Sequence, residues 1–303
     1  MKNIVNIAFP GLGIEEFSVS KIAFTIPIFG GIDVRWYGIF VTLGMVAAVL
    51  YTFYRSKNKI STDDLLDMAL FTIFFGVVGA RLYYVITYGG YSFAEIFQIW
   101  NGGLAIYGGI IGGILAIFGV CRYKKLNFLG MIDCIGPGVM IAQAIGRWGN
   151  FFNGEAFGGL VAEGSPLYFM RMGLYPHPFD FREIEGMIYV HPTFLYESMW
   201  NVVGFILINL FYKKKKFDGE IACWYLAWYG FGRMLIESLR TDSLMVGPFR
   251  ISQLVGLVCF VVCTFFIVYG RICAYKKQKS VVVTEVVTTE KIENEVTKNG
   301  EDH

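Results

Sequence analysis

The chain has 303 residues, of which 55% are apolar and 17% are charged, and its mean hydropathy is +0.53. That composition excludes an ordinary soluble domain, and a net charge of +2 without a basic patch argues against a nucleic-acid partner. The apolar residues come in blocks of nearly bilayer-spanning length, and alternation at period two is not sustained, which argues against a transmembrane barrel.

Residues 1–35 precede the first long block, and we expect them to form an external, partly amphipathic arm. Lys2 is followed by a short apolar run that ends at Pro10, and Glu15 and Glu16 follow soon after. This order does not match a secretory signal, which has an apolar core followed by a small-residue cleavage site.

Seven apolar blocks follow, and each is long enough, or nearly so, for a helix across roughly 30 Å of hydrocarbon. The second block contains Arg81 and the fourth is rich in glycine, so these two are the weakest. The sequence therefore predicts an all-α polytopic membrane protein whose seven-helix membrane domain covers residues 36–275. The blocks comprise residues 36–54, 67–87, 103–121, 131–148, 193–212, 221–239 and 251–272.

The distribution of Lys and Arg predicts the orientation of these helices. Basic clusters follow the first, third, fifth and seventh blocks, whereas the connection between the second and third blocks has no Lys or Arg. Basic connections stay cytoplasmic, so we expect the N-terminus outside and the C-terminus in the cytoplasm. Residues 151–192 then form a small external cap between helices four and five, and residues 276–303 form a polar cytoplasmic tail.

Cysteine and histidine usage gives no indication of a metal site. Six cysteines lie in or beside the apolar blocks without a metal-type spacing, so packing is the favoured interpretation. The internal histidines, His177 and His191, are too scattered to form a metal site by themselves.

The most informative segment is GRWGNFFNGE at residues 146–155, at the end of the fourth block. An arginine at a helix centre costs roughly 2.5–3.5 kcal/mol on insertion scales and less near the interface, so it usually faces a polar cavity or an anion. No acid on the same helix is spaced to neutralise Arg147, and Glu155 reaches it only if the chain folds back. The segment therefore predicts a site.

The predicted topology brings the unusual polar residues of six blocks to one depth near the outer face. Unrelated structural ion pairs would be spread through the membrane thickness, so the shared depth predicts a single site. The set comprises Tyr37, Arg81, Tyr107, Arg147, Asn150, Asn153, Glu155, His191, Tyr229, Arg233, Glu237 and Arg240.

Several members of this set have structural alternatives. Arg233, Glu237 and Arg240 are spaced i,i+4 and i,i+3, so they also fit a self-neutralising helix face. Tyr37 fits an interfacial aromatic belt, and His191 fits a helix start. The glycines of the second and third blocks favour close helix packing over ligand binding.

Several arginines in a cavity at outer-leaflet depth suit a phosphate head group whose acyl tails remain in lipid. The guanidinium fork binds phosphate through two parallel hydrogen bonds, and it stabilises negative charge as a phosphate leaves. Asn150 and Asn153 suit glycerol hydroxyls. The charge pattern thus predicts a lipid-phosphate site but no particular reaction.

The segment 146–155 closely resembles the signature of bacterial prolipoprotein diacylglyceryl transferases. HPTFLYE at residues 191–197 resembles the second motif of that family, and the run from Tyr229 to Arg233 with Glu237 and Arg240 resembles the third. WYG at residues 36–38 and GAR at residues 79–81 also fit. The similarity runs from about residue 35 to residue 272 in the family's order.

The resemblance implies an enzyme of the bacterial cytoplasmic membrane with an external active site. It implies transfer of a diacylglyceryl group from phosphatidylglycerol to the lipobox cysteine thiol of an exported prolipoprotein, with a thioether formed and glycerol phosphate released. It also implies seven membrane helices and no metal or organic cofactor.

The resemblance implies roles for the site residues. Arg147 contacts the lipid phosphate, and Arg233 stabilises the departing phosphate. Tyr107 stands where many members carry the histidine proposed to take the thiol proton; because neutral tyrosine is a poor base, a hydrogen bond from Tyr107 to the lipid and His191 as the base are open alternatives. Catalysis is assigned to Arg147, Arg233, Tyr107, Glu237 and His191, and substrate binding to Arg147, Asn150, Asn153, Glu155, Tyr37, Arg81, Tyr229 and Arg240.

Two other classes of function remain. A lipid or anion transporter would use the same arginines as an anion path, but it needs polar groups on the cytoplasmic side too, and the inner halves of the blocks look almost purely apolar. A structural partner of the export machinery leaves Arg147 and Arg233 unexplained.

Overall fold

A computed structural model describes most of the chain, namely residues 3–27, 31–57, 60–98, 102–176, 184–241 and 245–300. His177, a part of the predicted cap and the last residues of the predicted tail lie outside the described residues.

Seven long helices in the described chain coincide with the seven predicted blocks, and a one-turn helix lies between the second and third of them. Charged or glycine-rich segments bound each apolar run, and most helix ends lie within a few residues of the block ends. The last helix continues through the described part of the predicted tail. The helices are α1 (Trp36–Ser56), α2 (Thr62–Tyr88), α3 (Phe93–Ile96), α4 (Ile106–Tyr123), α5 (Phe128–Asn153), α6 (Thr193–Phe211), α7 (Glu220–Glu237) and α8 (Ile251–Gly300).

Six of the long helices have the length and hydropathy of membrane spans. The exception is α7, whose 18 residues include Glu220, Arg233 and Glu237. The prediction of a polytopic membrane protein is therefore confirmed, and the described chain is mostly helical with six candidate spans.

The all-α prediction is wrong, because the N-terminal arm and the cap form β-structure. The strands are β1 (Ile4–Phe9), β2 (Ile14–Ser20), β3 (Ile22–Ile26), β4 (Ile32–Arg35), β5 (Met172–Tyr175), β6 (Ile188–Val190), β7 (Met245–Val246) and β8 (Phe249–Arg250). An antiparallel sheet has the order β2-β1-β5-β6, and β3-β4 and β7-β8 are separate two-stranded pairs. Because β1 pairs with a strand that follows five helices in the chain, no local pattern predicts this sheet.

The four-stranded sheet packs on the ends of α5 and α6. Ile7 and Leu174 are fully buried there, against the partly buried Phe151 and the buried Phe194. Burial of an aliphatic or aromatic side chain of this size stabilises a fold by about 1.5–3 kcal/mol. We call this end of the helix bundle the sheet end, and the signature segment at residues 146–155 lies there.

Glycines set the distance between α2 and α4. A Cβ atom at Gly79 would overlap the carbonyl group of Gly108, and one at Gly112 would overlap the carbonyl group of Phe75. Small residues let two membrane helices approach closely, so these glycines have the packing role that their sequence pattern favours.

Candidate active site

Glu197 of α6 lies at the centre of an ion cluster at the sheet end. Its Oε2 atom lies 2.5 Å from Nη2 of Arg147, and its Oε1 atom lies 2.8 Å from Nη1 of Arg233 and 3.2 Å from Nη1 of Arg240. The residue is only 4% exposed. Guanidinium groups from α5, from α7 and from the segment after α7 thus meet on one buried carboxylate, which we call the Glu197 cluster.

Glu237 adds a second buried carboxylate to this cluster. Its Oε2 atom lies 2.6 Å from Nη2 of Arg233, and its backbone carbonyl accepts a hydrogen bond from Arg250. Arg233 pairs with Glu237 of its own helix through Nη2 and with Glu197 of α6 through Nη1. The predicted self-neutralising helix face is therefore only partly present.

Arg147 is the most exposed of the three clustered arginines, with 23% of its side chain accessible against 15% for Arg233 and 9% for Arg240. Besides Glu197, its polar contact within the described chain is a long one of 3.5 Å from Nη1 to Oδ1 of Asn150. A guanidinium group has five N–H donors, so most of those on Arg147 stay available for an anion.

The end of the signature segment folds back on itself. The side-chain amides of Asn150 and Asn153 both donate to Oε1 of Glu155, at 3.1 Å each. Gly154 permits this turn, because its φ of 58° lies in the left-handed region that glycine adopts without strain. Glu155 therefore orients the two amides, and Oδ1 of Asn153 is buried without a hydrogen-bond partner among the described residues.

Tyrosines from three helices lie around the clustered arginines. Tyr37 of α1 packs on α5 at Gly149, where a Cβ atom would lie 3.0 Å from the tyrosine ring. Tyr229 lies one turn before Arg233 on α7, in the neighbourhood of Arg147 and Tyr107. The predicted residues Tyr37, Tyr107 and Tyr229 therefore belong to the same region as the Glu197 cluster.

Arg81 lies apart from the cluster and is only 6% exposed. Its Nε donates to the carbonyl of Ile96 at 2.9 Å, and its Nη1 donates to the carbonyls of Gly102 and Gly103 at 2.8 and 3.0 Å. Its Nη2 donates to the carbonyl of Glu95 at 2.5 Å. The guanidinium group thus holds the connection between α2 and α4.

His191 also lies apart from the cluster, in the cap. Its Nδ1 lies 3.4 Å from the hydroxyl of Tyr196, and its backbone bonds to Gly158 and Gly159. Burial lowers the pKa of His191 below its usual value, so the ring is neutral at neutral pH. These contacts favour a role in supporting the cap.

Sequence reasoning missed Glu197 as a site residue, although it lies inside the 191–197 motif. A signal was available, because Glu197 is the one charged residue of the apolar block 193–212. An isolated carboxylate in such a block needs a cationic partner, and Arg147 has no acid on its own helix that is spaced to neutralise it.

Buried polar groups also lie at the opposite end of the bundle, where the sequence indicated almost purely apolar helices. Asp133 is 0% exposed. Its carboxylate accepts hydrogen bonds from Nζ of Lys215 and from the backbone N–H groups of Gly219 and Ala222, at 2.9 Å each.

The described residues contain no group of three or more His, Cys, Asp or Glu side chains placed to hold a metal ion.

The chain is similar to known proteins over most of its length. Residues 21–269 match the family model described as prolipoprotein diacylglyceryl transferase. A protein of Streptococcus pneumoniae serotype 4 named phosphatidylglycerol–prolipoprotein diacylglyceryl transferase is 45% identical over 263 residues, which are 84% of this chain and 95% of that protein. Proteins of the same name from Clostridium kluyveri and Streptococcus equi subsp. zooepidemicus are 43% and 41% identical, over 83% and 82% of this chain and 96% and 94% of their own.

Proposed function

Since the chain belongs to the prolipoprotein diacylglyceryl transferase family, we propose that this transferase moves the diacylglyceryl group of phosphatidylglycerol to the lipobox cysteine of prolipoproteins. The thiolate sulfur attacks the glyceryl carbon, a C–S thioether bond forms, and the C–O bond to phosphate breaks. Glycerol phosphate leaves with the electron pair of that bond. The reaction is the first step of bacterial lipoprotein maturation.

The protein lies in the bacterial cytoplasmic membrane with seven spanning helices, α7 included, and with its active site on the extracytoplasmic side. The N-terminus is outside and the C-terminus is in the cytoplasm. The basic clusters after alternate blocks support this orientation. The burial of the α7 charges against α6 supports a spanning α7, because paired charges are tolerated inside a helix bundle.

The convergence of three guanidinium groups on Glu197 carries this proposal. Arg147 contacts the lipid phosphate through its available N–H donors, while Glu197 fixes its position. Asn150, Asn153 and Glu155 form the head-group site, and the unpartnered Oδ1 of Asn153 accepts a hydrogen bond from a glycerol hydroxyl. Binding a charged phosphate with a preset fork gives orientation as well as affinity.

Arg233 stabilises the negative charge that develops on the departing phosphate. Glu237 and Glu197 hold its fork from two sides, which fixes the donors before the charge appears. Tyr229 and Arg240 complete this side of the site. Removal of one such donor typically costs about 10²–10³ in rate.

The acceptor thiol has an ordinary pKa of about 8.5, so the site must favour the thiolate. The positive field of Arg147 and Arg233 does so, because opposite charge stabilises an ionised group. Tyr107 lies beside Tyr229 and hydrogen-bonds the lipid, and Tyr37 forms part of the pocket wall. His191 is the alternative proton acceptor. Arg81 acts through the segment that leads into α4.

The test is a reconstituted reaction with the purified protein, phosphatidylglycerol vesicles and a lipobox peptide. We expect the peptide to gain the mass of a diacylglyceryl group, and a peptide with serine in place of cysteine to remain unmodified. Arg147→Ala should abolish the product. Arg171→Ala, which removes a cap arginine bonded to the carbonyl of Tyr168, should retain it. Movement of phosphatidylglycerol across the bilayer without a thioether would instead indicate transport.

A further inference from the structure

Two tryptophans bond reciprocally across the interface of α6 and α7. Nε1 of Trp200 donates a hydrogen bond to the backbone carbonyl of Trp228, and Nε1 of Trp228 donates one to the backbone carbonyl of Trp200, at 2.9 Å each. The two indole rings stack, with their centroids 4.3 Å apart and an angle of 17° between their planes. We call this arrangement the tryptophan clamp.

The same sequence pattern in both helices makes the clamp possible. Each helix carries Trp-x-x-x-Gly, as Trp200 with Gly204 on α6 and Trp228 with Gly232 on α7. In an α-helix the carbonyl of residue i accepts from the N–H of residue i+4, and its second lone pair stays available. A Cβ atom at Gly204 would overlap the indole of Trp228, and a Cβ atom at Gly232 would overlap that of Trp200. The glycines therefore open each carbonyl to the tryptophan of the other helix.

The clamp selects one register and one separation of the two helices. Both indoles are half-buried in the bundle, and a buried indole N–H that lacks an acceptor is costly where water does not reach it. Sliding α6 past α7 by one helical turn, about 5.4 Å, would take both acceptors away from their donors. It would also remove each ring from the glycine that makes room for it.

The clamp adjoins the Glu197 cluster on both helices. Trp200 follows Glu197 by three residues on α6, and Gly232 directly precedes Arg233 on α7. The 2.8 Å contact between Glu197 and Arg233 joins the same two helices. A relative displacement of about 1 Å would take that contact out of hydrogen-bond range, and a misplacement of this size can cost on the order of 10²-fold in rate.

We propose that Trp200 and Trp228 are positioning residues for the transfer reaction, because they hold α7 on α6 so that the Arg233 fork is set before charge develops. The inference rests on the proposed function. In that function Arg147 of α5 binds the lipid head group, whereas Arg233 acts on the phosphate as the C–O bond breaks. Loosening the clamp should therefore lower kcat and leave the KM for each substrate unchanged.

Kinetics of thioether formation test this role in phosphatidylglycerol vesicles with a lipobox peptide. Trp228→Phe removes one N–H donor and keeps an aromatic ring, and benzothienylalanine in place of Trp228 keeps the indole shape and removes only the donor. We expect kcat to fall on the order of tenfold in both variants, with each KM within about twofold of wild type. Unchanged kcat in both variants, or a raised KM with unchanged kcat, would refute the proposal.

Trp224→Phe is the matched control. Trp224 lies on the same helix and is 42% exposed, so the same substitution there leaves the clamp intact. This variant should keep the kcat of the wild type. An equal fall in kcat from Trp224→Phe and Trp228→Phe would remove the special role of the clamp.

A double-mutant cycle separates positioning from general support of the bundle. Arg233→Lys replaces the fork with a single ammonium group, which leaves little for the clamp to position. In that background Trp228→Phe should lower kcat by less than about twofold, against about tenfold in the wild type. An equal loss in both backgrounds would mean that the clamp only supports the fold. Thermal unfolding in detergent monitors each variant, and the benzothienylalanine variant carries the same cycle if Trp228→Phe does not fold.

The wild-type protein in the same vesicles separates this inference from the function on which it rests. Absence of thioether product would refute the transferase proposal itself. Normal thioether formation together with wild-type kcat in the Trp228 variants would refute only the positioning role.

Discussion

The two ends of the helix bundle both bury a carboxylate, but they use it differently. At the sheet end, Glu197 is shared by three arginines, and the Arg147 side chain keeps 23% of its surface accessible. At the opposite end, Asp133 is fully buried, and its oxygens are taken by Lys215 and by two backbone N–H groups at the start of α7. The first arrangement leaves N–H donors of Arg147 available for a ligand. The second provides hydrogen-bond acceptors for the backbone N–H groups at the start of α7.

This difference separates a site from a structural contact better than burial or charge does. A carboxylate that accepts from backbone N–H groups caps a helix, and its geometry is complete without a ligand. Guanidinium groups that share one carboxylate keep some of their five N–H donors unused, so these donors are available for a ligand. The closed arrangement around Asp133 also does not favour a polar path through the bundle, which a transporter would need.

The largest effect should come from Glu197→Gln, which keeps the shape of the side chain and removes its charge. Arg147 and Arg233 lose their common anchor, so kcat/KM should fall about 10²–10³-fold. The measurement is thioether formation in vesicles, with thermal unfolding in detergent as a control for folding. Activity within a few-fold of wild type would mean that Glu197 is structural, like Asp133.

Asp133→Asn should give the reverse result. Loss of the charge-assisted bonds to Lys215 and α7 should lower the free energy of unfolding by about 2 kcal/mol, while kcat of the folded protein stays unchanged. Equilibrium unfolding and single-turnover kinetics on the same preparation measure both. A large fall in kcat with unchanged stability would remove the distinction between the two ends.

Arg81→Lys tests whether the arginine outside the cluster positions the chain or binds lipid. A single ammonium group cannot replace a fork that bonds four carbonyls, so the segment before α4 should loosen and kcat should fall about tenfold. The KM for phosphatidylglycerol should not change, and limited proteolysis of residues 89–105 should accelerate. A raised KM for phosphatidylglycerol with an unchanged rate of proteolysis would indicate that Arg81 binds the lipid.

The smallest effect concerns the pH dependence of the cap. Burial lowers the pKa of His191, so the unfolded chain binds its proton more readily than the folded one does. The contribution of His191 to stability should therefore be fully present above about pH 6.5 and be lost as the pH falls through the lowered pKa. Unfolding followed from pH 7.5 to 5.5 measures this loss, and His191→Gln should reduce its slope. An identical slope in the variant would contradict the assignment.

The helices and the meeting of Arg147 with Arg233 were predictable, because charged or glycine-rich segments bound each apolar run and a charge inside such a run needs a polar partner. Arg147 is the clearest case, since no acid on its own helix neutralises it. The family resemblance then supplied a chemistry that charge alone does not specify, and the similarity to named relatives confirms the family.

Other features lay beyond local patterns. Strand β1 pairs with its chain neighbour β2 on one edge, but its second partner, β5, comes from the distant cap, and sequence spacing does not reveal that pairing. Arg81 resembles Arg147 as a cation in an apolar block, but its acceptors are backbone carbonyls, which carry no sequence signal. Glu197 could have been identified by the same reasoning as Arg147, because it is the one charged residue of its apolar block.

The antiparallel pairing of Asn6 with Tyr175 has a consequence for biogenesis. During synthesis, β1 lacks this partner until the segment between α5 and α6 has been made and has reached the same side of the membrane. Until then its hydrogen-bonding edge is open to chaperones, to proteases and to neighbouring nascent chains. Completion of the four-stranded sheet is therefore tied to a late step of membrane insertion, and an interrupted chain that ends before residue 172 leaves one edge of β1 without its partner, which quality control can recognise.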